Sequence, residues 1–328
     1  MKKTKVAGMA MGVISALMFS TTAFAATNEL TGLSVDDSIA DQRPVAIMVD
    51  NEKAALPHYG IGEADVVYEM MNSTQNGRIT RLMCLYKDWA NLDQTGCIRS
   101  TRTTNVVISD EYNAVLIHDG GPYYIKKYLA QPYATHISGD FTRVKNGKST
   151  EYTEFVFGEE LVKRFEKAKI STTYSLTPER DSHFLFNEAD TELSSDVAGI
   201  SVDLSKVFVH NLSKLVYNEA TGTYDYNEYG KLHQDAEDAQ PLSFKNVILQ
   251  NVSFKQLDKN GYLNYNVTGS DKGYYFTNGK VLPITWTKSS DTGFTHFYDP
   301  DGNELSINKG KTYIGLVPSD SWDKIVFE

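Results

Sequence analysis

Three apolar runs in this chain end in groups that do acid–base or ligand chemistry. Val45 to Val49 leads into Asp50-Asn51, Val66 to Tyr68 into Glu69, and Val115 to Ile117 into His118-Asp119-Gly120-Gly121. Arg78, Arg81, Arg99 and Arg102 stand near them in the sequence. Carboxylates can hold a cation, and guanidinium groups offer planar forks of donors suited to carboxylate or phosphate. The candidate ligand-binding residues are therefore Asp50, Asn51, Glu69, Arg78, Arg81, Arg99, Arg102, His118 and Asp119. One reading is a pocket for an anionic ligand. A second is a metal-assisted hydrolase or phosphotransferase, in which Asp50, Glu69 and Asp119 hold a divalent cation, His118 moves a proton and the arginines clamp phosphate. In the blandest reading these charges simply pair at a sheet edge, and in a third functional reading the chain is a structural or protein-interaction module with an exposed tyrosine-rich β domain as its interface.

These groups can share a pocket only if the strands carrying them run the same way. Ligands of open α/β sheets bind beyond the carboxyl ends of the strands. Continuous apolar runs, including Leu82 to Tyr86, indicate strands covered on both faces. Helices are expected over Thr103 to Tyr112, Pro122 to Leu129 and Gly158 to Lys169, the last with Leu161, Val162 and Phe165 as its stripe and Glu159 and Glu160 four residues before Lys163 and Arg164. Arg99 and Arg102 share one face only if the helix after Arg99 starts early.

Beyond residue 200 the chain turns rich in tyrosine and β-branched residues. Asn278-Gly279 between two strand-like runs marks a hairpin. The expected fold is α/β or α+β. An N-terminal mixed sheet with helices over residues 42–190 is followed by a mostly antiparallel β-rich domain over 200–328, with residues 26–41 as a linker. Asp299, Asp301 and Asn303 resemble the start of a calcium loop, but Glu304 replaces its glycine and Gly310 its final glutamate, so a plain turn is expected. Tyr224, Tyr226 and Tyr229 read as sheet packing more than a sugar platform. No nucleophile elbow surrounds Ser100 or any other serine.

Composition narrows the class. The 328 residues are 41% hydrophobic and carry a formal net charge of -10, which argues against nucleic-acid binding. Lys2, Lys3 and Lys5 precede an uncharged stretch ending in Ala23-Phe24-Ala25, the pattern of a cleaved signal peptide over residues 1–25. No later segment is apolar enough to span a membrane, so the mature protein is expected to be extracytoplasmic, secreted or surface-associated. In that compartment Cys84 and Cys97 are a candidate disulfide, worth about 3 kcal/mol if unstrained.

These segments also carry a resemblance. Arg43 to Asn51, Glu63 to Glu69, Gly77 to Arg81, Ile98 to Arg102 and Ala114 to Gly121 resemble, in order and spacing, the N-terminal domain of the YerB-like bacterial lipoprotein family. Asn246 to Gln250, Asn278 to Val281, Trp286 and His296 to Pro318 are similar to that family's C-terminal domain. The resemblance implies an N-terminal α/β-type domain, a C-terminal β-rich one and a location outside the cytoplasm. The family is a domain of unknown function, so it implies no reaction. The lipid-modified cysteine of many relatives is lacking, and Gly96-Cys97 stands where relatives usually have Gly-Pro. The ligand expected for the pocket is an anionic envelope component such as a wall glycopolymer.

Overall fold

The computed structural model describes residues 26–174 and 183–328. The signal peptide expected over residues 1–25 lies outside the described residues, as do residues 175–182 of the polar connection between the halves.

The four apolar runs form strands Val45–Asp50, Val66–Met71, Thr80–Tyr86 and Val115–His118, and every residue in them is buried. They are buried because both faces of their sheet are covered. On one face Val45, Ile47, Val49, Val67, Leu82 and Val115 pack against Leu161 and Phe165 of the helix Gly158–Ala168. The same face meets Val202, Leu215, Tyr224 and Phe244 of a second, antiparallel sheet. On the other face Ala46, Met48, Met70, Met83 and Leu116 pack against Val106, Val107 and Ile108 of the helix Thr103–Glu111 and against the small hairpin Phe254–Gln256/Leu263–Tyr265. The result is α+β, with three layers and one large mixed sheet at the centre.

Strand direction follows from the pairing. Thr80–Tyr86 runs antiparallel between Val45–Asp50 and Val66–Met71, and Val115–His118 runs parallel to Val45–Asp50. The three strands carrying the candidate acids therefore point the same way, as the pocket reading requires. The helices Thr103–Glu111 and Gly158–Ala168 form where expected, and Glu160 reaches Arg164 at 2.8 Å. The helix expected over Pro122 to Leu129 is a short 3-10 turn followed by Lys126–Leu129.

The two halves share this sheet. Thr312–Pro318 pairs parallel with Val66–Met71 on one side and with Asn246–Val252 on the other. The sheet continues through Gly269–Thr277, Lys280–Lys288 and Thr295–Tyr298, and His136–Ser138 forms its opposite edge, ten strands in all among the described residues. Asn278 and Gly279 make the expected two-residue hairpin, both at positive φ (51° and 71°). Asp299 accepts from the N–H groups of Asp301 and Asn303, so the calcium-like segment is a turn closed on itself. Residues 26–41 dock instead of hanging free: Leu30 is fully buried and Asn28 bonds Asp65.

The expected disulfide is corrected. Cys84 and Cys97 are both free and buried. Cys84 sits opposite Ile47, while the Cys97 carbonyl accepts from the N–H of Asp50 on the far side of the same strand. With the Val45–Asp50 strand between them they are two strand spacings apart across the sheet and three residues apart along it, roughly 14 Å. A disulfide needs Cα atoms within about 7 Å.

A buried ion pair locks the outer strands to the helix. Lys288 lies 3.0 Å from Glu111, neither side chain exposed by more than 1%, and Glu111 also accepts from the N–H of Thr295. Lys288→Met leaves that carboxylate buried without its cation, and should lower the unfolding free energy by about 3–5 kcal/mol in a denaturant titration.

Candidate functional site

Beyond the carboxyl ends of the parallel strands lies a cleft of about 360 Å³, lined by Asp50, Arg81, Arg99, Arg102 and Asp119 among the expected residues. Asp50 ends its strand directly opposite Arg81. Its carboxylate accepts from Arg99 Nε at 2.5 Å and from the N–H of Glu52 at 3.2 Å. Burial pushes the Asp50 carboxyl up, but the charges of Arg81 and Arg99 outweigh it and hold the group below the usual range. Arg99 also reaches Glu151 at 3.2 Å and lies over the Tyr152 ring. Burial pulls its pKa down, and the contact with Asp50 more than reverses this.

Arg81 and Arg102 are held differently. Arg102 is the extended residue just before the helix, its N–H donating to Asn105 Oδ1, so the helix does not start early and both Arg99 and Arg102 reach the cleft from the non-helical segment ahead of it. One terminal nitrogen of Arg102 donates to Ser100 Oγ and the Thr101 carbonyl, and the guanidinium stacks on Tyr262 at 4.3 Å. Arg81 donates to the Ser100 carbonyl and hydroxyl at 2.7 and 3.0 Å. The Nε of each is buried with no hydrogen-bond partner among the described residues. Burial, and then the neighbouring Arg81 charge, lower the Arg102 pKa to about 9. The hydrogen bonds of both guanidinium groups thus go to neutral acceptors, although the Asp50 charge acts on Arg81 from the neighbouring strand.

Four expected residues do not line the cleft. Arg78 pairs with Asp320 at 2.8 and 3.1 Å. His118 lies under the rim, bonded to the Gly120 carbonyl and to His136, and burial lowers its pKa to about 4. Asn51 is buried, donating to Thr80 Oγ1 at 2.8 Å. Glu69 pairs in register with Leu82, one residue out of phase with Arg81, and so points to the opposite face of the sheet. There it accepts from Thr80, Ser213 and Tyr313 at 2.7 Å and from Tyr226 at 3.1 Å. Asp50, Glu69 and Asp119 therefore do not converge on a cation.

Sequence reasoning missed Ser100, Glu151, His210 and Tyr262, which also line the cleft. Ser100 stands inside the Ile98-Arg-Ser-Thr-Arg102 motif and could have been included. His210 and Tyr262 come from the second half, and nothing local marks them.

Glu69 generates a pH prediction. Burial raises its pKa, with the hydroxyl donors opposing the rise. The folded state then holds the proton more tightly than the unfolded one, so its contribution to stability falls as pH rises from the ordinary glutamate value through the raised one. Denaturation of wild type and Glu69→Gln at a series of pH values above the ordinary glutamate range should show wild type losing stability relative to the variant as pH rises.

The comparisons with known proteins agree with this architecture. Residues 30–171 match the "Protein of unknown function (DUF3048) N-terminal domain", and residues 202–314 the corresponding C-terminal domain. The chain is 26% identical over 301 residues to "Putative lipoprotein YerB" of Bacillus subtilis, covering 88% of this chain and 85% of that protein. The crystal structure of YerB protein from Bacillus subtilis superimposes with a TM-score of 0.79 at 23% identity, over 92% of this chain and 99% of that one, a likeness of fold. The chain belongs to the DUF3048 family, with both of its domains present in order.

Proposed function

We propose that this protein works outside the cytoplasm and binds an anionic ligand of the cell envelope, such as a wall glycopolymer, in the arginine cleft. The observation carrying this reading is the pair Arg81 and Arg102, 9% and 7% exposed. Each has an unpartnered Nε, and among the described residues neither guanidinium is hydrogen-bonded to a carboxylate. Arg99 is already occupied by Asp50 and Glu151. Glu52, Asp119 and Glu151 also line the cleft. A stretch of closely spaced charges would meet repulsion there, so the reading is that one phosphodiester or carboxylate of a glycopolymer repeat enters between them and meets the two deep guanidinium groups. The location is supported by the relative described as a putative lipoprotein. No helix among the described residues is long and apolar enough to cross a membrane.

The test is thermal stabilisation by inorganic phosphate and by glucuronate. A probe at 100 times its Kd stabilises the wild type by about 2.7 kcal/mol. Arg102→Met should abolish this shift while changing the ligand-free stability by no more than about 1 kcal/mol, because it removes a buried cation that lacks a counter-charge. Equal shifts in wild type and variant, or none in wild type with either probe, would defeat the reading.

A further inference from the structure

A second cluster lies behind the cleft, where the two halves meet. His58, Glu228 and His233 each turn one ligand-capable atom inward, and the three atoms lie within 4.8 Å of one another. Their residues are 0%, 2% and 5% exposed.

The hydrogen bonds leave a specific set of lone pairs. His58 Nε2 lies 2.6 Å from the Asp50 carbonyl, which can only accept, so Nε2 carries the proton and Nδ1 is the free base. His233 Nδ1 lies 2.7 Å from Glu228 Oε1 and donates to it in the neutral tautomer, leaving Nε2 as the free base. The other Glu228 oxygen, Oε2, has no partner either. Thus His58 Nδ1, His233 Nε2 and Glu228 Oε2 are all buried acceptors without donors among the described residues.

The surrounding backbone holds these groups in place. The Asp235 carboxylate accepts from the N–H groups of Gly60 and Gly62 at 3.1 and 2.7 Å. The N–H of Ala236 donates to the His58 carbonyl at 2.9 Å. The loop bearing His58 is thereby fixed against the segment bearing His233. The Asp50 carbonyl behind His58 is the outer contact that a metal-ligating histidine uses to fix its tautomer.

We propose that His58, Glu228 and His233 bind a divalent transition-metal ion of the zinc type, joining the two halves of the chain. Two neutral imidazoles and a carboxylate suit such an ion better than calcium or magnesium, which take oxygen ligands. Donors at about 2.0–2.1 Å from a tetrahedral zinc stand about 3.4 Å apart, so the cluster has to contract on binding, and the Glu228 carboxylate has to leave His233 Nδ1 to meet an ion on Nε2.

The test uses the full chain, stripped with a chelator and dialysed against zinc chloride, with cobalt(II) absorption as a second readout. One ion per chain is expected, with a rise in melting temperature on zinc addition. Glu228→Gln and His233→Asn should each weaken binding by about 100-fold or more, whereas His136→Ala, which alters the other imidazole pair, should leave it unchanged. If either variant fails to fold, chelator-reversible zinc stabilisation of wild type is the deciding measurement. No saturable uptake by wild type below about 0.1 mM zinc, or uptake that survives both variants, would overturn the proposal. Phosphate-induced stabilisation of the metal-free protein reports on the arginine cleft separately, so the two readings can fail independently.

Discussion

Glu69 is the constraint around which the halves assemble. A carboxyl group with no exposure must receive hydrogen bonds, and here it receives them from hydroxyls on four separate segments, Thr80, Ser213, Tyr226 and Tyr313. Thr80 belongs to the first half and the other three to the second. If one segment were missing, the carboxyl would be left short of donors in a low-dielectric interior, at a cost of roughly 1–3 kcal/mol for each unsatisfied group. One side chain thus fixes the register of the central strands and the seat of the antiparallel sheet above them.

The same alternation separates Glu69 from the cleft. Asp50 and Arg81 are cross-strand partners on one face, and Leu82 and Glu69 are partners on the other. The sequence shows apolar runs leading into acids, but the common direction of the three strands stands there only as a condition, which the pairing meets. Which face each acid takes depends on the register of the intervening Thr80–Tyr86 strand, and no local pattern in a fully buried run reveals it. For the same reason the cysteines look like neighbours in the sequence, although the Val45–Asp50 strand lies between them. The Asn278-Gly279 hairpin is legible because its turn chemistry is local. The His58–Glu228–His233 cluster is not, because its members are brought together only by the docking of the two halves.

Asp50 connects the two candidate sites. Its carboxylate meets Arg99 at the cleft, and its carbonyl holds the His58 ring from behind. Backbone and side chain of one residue therefore serve opposite sides of the sheet edge, which ties the position of the loop after residue 50 to the charge balance of the cleft.

The place of the Thr312–Pro318 strand has a consequence for how this molecule comes to exist. It is the last of the ten strands in chain order, yet it lies in the interior of the sheet, between Val66–Met71 and Asn246–Val252. Until it arrives, those two strands present long apolar edges with unpaired backbone groups, which are templates for pairing with other chains. Its pairing with Val66–Met71 closes most of the chain into one loop, and such non-local pairing is slow. The risk of aggregation is therefore concentrated before this single insertion, and a chain interrupted ahead of it would lose the centre of the sheet, not a dispensable tail.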